Sequence, residues 1–142
     1  MHKQRLSQVN KVSGTPGRKN QFCLISFETI FEPQYIDNKP HWYGIYREDQ
    51  IPFTVASIYE CAVVNGEEVR SMSMLTFNSD GHPFMKQFHA PNDEKRSIIV
   101  IPRERRNDWL TCSHEQAPDF FVEMPIDKFT VAPKKEIDHY RN

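Results

Sequence analysis

Two side chains in this sequence have surroundings that suit proton transfer. Glu32 ends the apolar run CLISFETIF (Cys23–Phe31) and is followed by Pro33, so a carboxylate stands among aromatic and aliphatic groups. Such a setting disfavours the charged form, raises the pKa and fits the group to exchange protons near neutral pH. The competing reading is ordinary strand alternation, with Glu28 and Glu32 both turned to solvent. The pattern alone favours that second reading, because perturbed carboxylates are a minority. His89 follows FMKQF (Phe84–Phe88) and precedes the charged stretch NDEKR (Asn92–Arg96). A histidine on a loop beside acids can titrate near pH 7 and carry protons. An ordinary surface histidine explains the same pattern.

Other combinations are weaker. His82, His89, Asp80 and Asp93 have no recognised metal-ligand spacing, and neither a metal nor any other cofactor is expected. Ser113 and His114 are adjacent, which says nothing of a triad, since triads assemble in space. Cys23, Cys61 and Cys112 are odd in number and lack a C-x-x-C pair, so they read as reduced thiols of a cytosolic protein. Cys23 and Cys61 lie in apolar runs and are expected to be inert core thiols. Residues 86–106 carry Lys86, Lys95, Arg96, Arg103, Arg105 and Arg106 against Asp93, Glu94 and Glu104. This segment could contact phosphates, with Trp42, Tyr43, Phe77 and Phe88 offering stacking faces to unpaired bases. A solvated helix face with internal ion pairs explains the charges at least as well.

The elements that must position these groups are short. Residues 1–21 are basic, free of acids and broken by SGTPG (Ser13–Gly17), which reads as a mobile arm. Strands are expected at Phe22–Ile25, Thr29–Tyr35, His41–Tyr46, Phe53–Tyr59, Val69–Thr76 and Ser97–Ile101, as one antiparallel meander. Turns fall at Asp37–Pro40, Arg47–Asp49 and Asn65–Gly66, the last suited to a tight hairpin. Short helices are expected over Pro83–Phe88 and Pro102–Leu110. The charged tail, 133–142, is expected to fray. The class is α+β, mostly antiparallel sheet with a few short helices.

The 142 residues make one ordinary domain with a core at 22–132, and a net charge of −1 gives no global pull towards nucleic acid or membrane. The longest apolar runs are far too short for a bilayer span, and no secretory signal is expected. Six strands in one meander leave sheet edges open, so the chain reads as the second half of something larger.

The ordered blocks resemble the SOS-response-associated peptidase (SRAP) family, which handles abasic sites in single-stranded DNA. Cys23–Pro33 is similar to the family strand that ends in its active-site glutamate, which implies that role for Glu32. Ala56–Glu60 (ASIYE) resembles the family's Ala-Gly-Leu-Trp-Glu strand. Ser71–Thr76 followed by Asn78–His82 resembles the strand and turn bordering the DNA pocket, which places Thr76 there. Phe88 and His89 with Asp93–Arg96 and Ile98–Pro102 resemble the block that holds the active-site histidine, which implies that role for His89. Order and spacing match across roughly Phe22–Leu110. The long loop from His89 to Arg96 resembles a phage-associated branch.

The departures are specific. The family's reactive cysteine directly follows the initiator methionine, whereas here that position is His2. Members carry several dozen further residues before this block, including an asparagine that contacts the abasic sugar; Asn10 is the nearest candidate here. Pro33 stands where many members have tryptophan. The resemblance therefore implies a DNA-damage-response protein with a partial SRAP-type barrel, incomplete at its N-terminal side. It would be a C-terminal portion or truncated paralogue carrying the Glu32 and His89 half of an autoprocessing peptidase and abasic-site crosslinker. Implied DNA contacts are Thr76, Lys95, Arg96, Arg103 and Arg106, and implied partners are abasic single-stranded DNA and a missing N-terminal fragment or partner chain. The implied location is cytoplasmic, associated with the nucleoid in a bacterium. Two alternatives are a non-catalytic single-strand DNA-binding remnant and a protein-interaction module whose sheet edge pairs with a partner.

Overall fold

A computed structural model describes residues 21–78, 85–88, 96–122 and 124–141. The basic arm before Gln21 lies outside the described residues. In chain order the elements are β1 (Phe22–Phe27), β2 (Ile30–Ile36), β3 (Lys39–Arg47), β4 (Phe53–Val64) and β5 (Glu67–Met74). They continue with β6 (Thr76–Asn78), β7 (Arg96–Ile98), β8 (Val100–Ile101), α1 (Arg106–Thr111), β9 (Phe129–Pro133) and α2 (Lys134–Arg141). Short 3₁₀ turns occupy Met85–Gln87, Arg103–Arg105, Ala117–Phe120 and Ile126–Lys128. The fold is α+β and mostly antiparallel, as the alternating runs require.

The single meander is corrected. The strands separate into a sheet ordered β1-β4-β5 with β8 also on β4, a sheet ordered β2-β3-β9, and a β6-β7 pair. None of these closes into a barrel among the described residues. The chain divides into two units, one of residues 1–26, 54–77 and 98–122, the other of 27–53, 78–97 and 123–142.

The first unit is built around Trp109. Its ring lies 4.6 Å from Phe22 and 5.4 Å from Phe120, and its indole N–H donates to the Cys23 carbonyl at 2.8 Å. Ala56, Leu75, Ile99 and Ile101 complete this core. Burial of the indole with its one polar atom satisfied makes Trp109 the anchor of α1. The β4–β5 hairpin turns at Asn65 (φ 53°) and Gly66 (φ 81°), the mirror-type turn that matches strand twist. Beyond Tyr59, however, this hairpin runs out of the core: β4 is exposed from Glu60 to Val64, and β5 from Glu67 to Met72.

The second unit rests on the β2–β3 hairpin, whose turn places Asp37 and Asn38 at φ 50° and 61°. Its register pairs Ile30 with Ile45 and Glu32 with Tyr43. Strand β9, which the sequence reading passed over, pairs with β3 from Arg47↔Phe129 to Tyr43↔Pro133. Phe129 packs edge-on to Phe53 at 5.1 Å. The tail does not fray as expected: it forms α2, held by a Lys134–Asp138 ion pair at 2.6 Å and by buried Ile137. Gly44 makes room for that helix. A Cβ there would collide with Ile137 Cδ1 and lie 2.8 Å from Thr29 Cγ2.

Candidate functional site

Strand alternation puts side chains two residues apart on one face, and directly paired residues on neighbouring strands share a face. In β2 this groups Ile30 with Glu32; across the hairpin it adds Ile45 and Tyr43. Ile30 and Ile45 are core residues, so the face that carries Glu32 is the inner one. Glu32 is accordingly 2% exposed, while Glu28 is exposed, and the reading that turned both to solvent fails for Glu32. Register decides this outcome: a shift of one residue would have put Phe31 inside and Glu32 in water.

Tyr43 links this face to the segment around residues 85–88. Phe88 is fully buried, with its ring 6.5 Å from that of Tyr43, and Met85 is buried in the same turn. His89 is the next residue and lies outside the described ones, as do Lys95, Asp80, His82 and Asp93. No cluster of three or more His, Cys, Asp or Glu occurs among the described residues.

The expected basic and aromatic surface is distributed differently. Arg96, in the second unit, is 7% exposed, so it is a buried cation and not part of a solvated face. In the first unit Arg106 Nε donates to Thr54 Oγ1 at 3.0 Å, and that hydroxyl donates to the Ile101 carbonyl at 2.9 Å. Arg105 stacks 4.1 Å over the Phe120 ring. Arg103 is exposed, and Thr76 is buried. Of the proposed stacking aromatics, Phe88 is corrected to a core residue, whereas Trp42 is half exposed.

The thiols need one correction as well. Cys112 is buried, with Sγ 3.2 Å from the Trp109 carbonyl, and Cys23 is half-buried; burial pushes both thiols up. Cys61 is exposed, not a core thiol, because β4 outruns the core before reaching it.

A family model described as SOS response associated peptidase (SRAP) matches residues 13–138. The chain belongs to the SRAP family. It is similar to a solved Bordetella bronchiseptica protein at 30% identity and TM-score 0.76, over 80% of this chain and 54% of that one. A Bacteroides thetaiotaomicron structure shares the fold at 18% identity and TM-score 0.70, covering 88% of this chain and 56% of that one. So does a phage-related protein from Bordetella bronchiseptica, at 16% identity and TM-score 0.58, covering 80% and 53% respectively. The chain thus spans about half the length of the solved structures it matches. No curated protein matches the sequence. No described helix is long and apolar enough to cross a membrane.

Proposed function

We infer that this chain carries the proton-transfer side of an SRAP-type site acting on abasic sites in single-stranded DNA, as part of a DNA-damage response. The observation that carries the reading is the burial of Glu32 opposite Tyr43 on the inner face of β2. Burial removes the water that holds a carboxylate charged, and a carboxyl group so placed can give and take a proton. His89 is the second member. Its support is Phe88, the preceding residue, which packs against Glu32's cross-strand partner.

The chemistry needs a nucleophile as well. A ring-opened abasic sugar presents an aldehyde; a terminal amine adds to it and loses water to give an imine, and a neighbouring thiol then adds to close a thiazolidine. Glu32 and His89 would move the protons of sugar ring opening and of these additions. Residue 2 here is histidine, and all three cysteines are internal to the sequence, with no amine beside the thiol. The nucleophile is therefore assigned to a segment other than these 142 residues. Thr76, Lys95, Arg96, Arg103 and Arg106 are retained as DNA-contact candidates.

The test is fluorescence anisotropy with labelled abasic oligonucleotides across a salt series. Single strands should bind more tightly than duplex, and affinity should fall steeply with salt as counterions are released. Arg103 is the clean probe, since it is exposed while Arg96 is buried and Arg106 holds Thr54. Arg103→Ala should lower the salt slope by about 0.7. Equal binding of duplex and single strand would sink the reading.

A further inference from the structure

Beside the inner face lies a second feature with no role in the proton chemistry. Strand β9 ends at Pro133, opposite Tyr43, and the chain turns at once into α2. Residues Lys39, Pro40, His41 and Trp42 of β3 therefore pair with β2 on one side and with no strand on the other, among the described residues. The notch so formed is a groove of about 480 Å³, walled by Pro40, His41 and Trp42 on one side and by Lys134, Lys135 and Asp138 on the other, and closed at its end by the last β3–β9 pair, Tyr43 and Pro133.

Its lining combines a flat apolar face with surplus positive charge. Trp42 is 49% exposed, in contrast to Trp109 at 0%. Lys134 is committed, paired with Asp138 at 2.6 Å and lying 5.5 Å over the Phe31 ring. Lys135 has no ion-pair partner among the described residues, and the first turn of a helix is where a cation gains least from the backbone. An aromatic face beside a cation matches the base and phosphate of an unpaired nucleotide. An extended peptide fits less well. The open edge is four residues long, Lys39–Trp42, and Pro40 offers no N–H for a ladder.

We propose that this groove is a subsite for single-stranded DNA, in which a base stacks on Trp42 and its phosphate pairs with Lys135. The proposal rests on the single-strand reading above and adds a place on the protein for a nucleotide outside the reacting centre. Trp42 and Tyr43 are consecutive in a strand and so face opposite sides of the sheet. Tyr43 shares the Glu32 face, so the Trp42 subsite holds a flanking nucleotide and not the reacting sugar.

With only two tryptophans in the chain, and one of them in the core, intrinsic fluorescence reports on Trp42. Oligothymidylate free of abasic sites should quench it, whereas thymidine monophosphate at equal nucleotide concentration should not. Trp42→Phe should abolish the quenching and retain most of the affinity measured by anisotropy of the labelled oligonucleotide. Trp42→Ala should weaken binding roughly five- to 150-fold, and Lys135→Ala should lower the salt slope by about 0.7. Binding without quenching, and with Trp42→Ala unchanged, overturns the subsite and leaves the family-based reading standing. Equal quenching by the mononucleotide also overturns it, making the groove a nucleotide pocket. Absence of any binding overturns both.

Discussion

Glu32 occupies a position in β2 where alternation with Ile30 would ordinarily call for an apolar residue, and the protein keeps a carboxylate there. The sequence named the residue but could not decide its face, because Phe31 and Glu32 alternate and either register was open. Arg96 was misplaced for a similar reason. Its neighbours Asp93, Glu94 and Lys95 suggest a solvated loop, yet at Arg96 the chain enters β7, where Arg96, Ser97 and Ile98 are all buried. Two residue-scale outcomes follow from the titratable groups. The Arg47 guanidinium, 2.5 Å away, and the Ile51 amide hold the Asp49 carboxyl down at about 2. A depressed folded pKa adds stability that is present above the unfolded value, near 4, and is lost as pH falls towards 2. The group is fully exposed, so the effect is small and local. A carboxyl NMR titration should give a midpoint near 2, and Asp49→Asn should remove the acid-side loosening of the Arg47–Ile51 turn. Among the thiols, alkylation followed by mass spectrometry should label Cys61 first, Cys23 slowly and Cys112 only after denaturation. Burial keeps the latter two protonated and covered.

Strand-forming runs were legible because β-branched and aromatic residues cluster between turn residues, and all six expected runs begin within two residues of a strand observed there. Strand β9 and helix α2 were not. FTVAP (Phe129–Pro133) is short and ends in proline, and KKEIDHYR (Lys134–Arg141) has one buried apolar anchor, Ile137, so its helical signal is the Lys134–Asp138 spacing. Both elements take their stability from β3 and are invisible without it. Glycines give the sharpest tests at this scale. Gly66→Ala meets no atom within 4 Å, so its cost is the positive φ alone, about 1 kcal/mol by denaturant melts. Gly44→Ala must displace Ile137 or Thr29 and should cost more, in the range of about 1–3 kcal/mol for overpacking. The outer half of the β4–β5 hairpin should be indifferent: Val63→Lys or Met72→Lys should change stability by less than about 0.5 kcal/mol, because both side chains are already in water.

At the scale of the whole chain, family and fold agree. The order of blocks from Cys23 to Pro102 pointed to SRAP, and the family model covers residues 13–138. The length relation to the solved structures gives the account its shape, since about half of each such structure has no counterpart in this chain. The central claim is that these residues supply proton transfer through Glu32 and His89 while the nucleophile comes from elsewhere. A denaturing gel of abasic single-stranded oligonucleotide tests it most directly, run with the 142-residue chain alone and again with an added cysteine-initiated fragment supplying the family's N-terminal strands. The account predicts no heat-stable adduct with the chain alone. With the fragment, a shifted band should appear that falls sharply when Glu32→Gln or His89→Ala replaces the native chain. A heat-stable adduct formed by the chain alone, or one with the fragment that is indifferent to both substitutions, would contradict it.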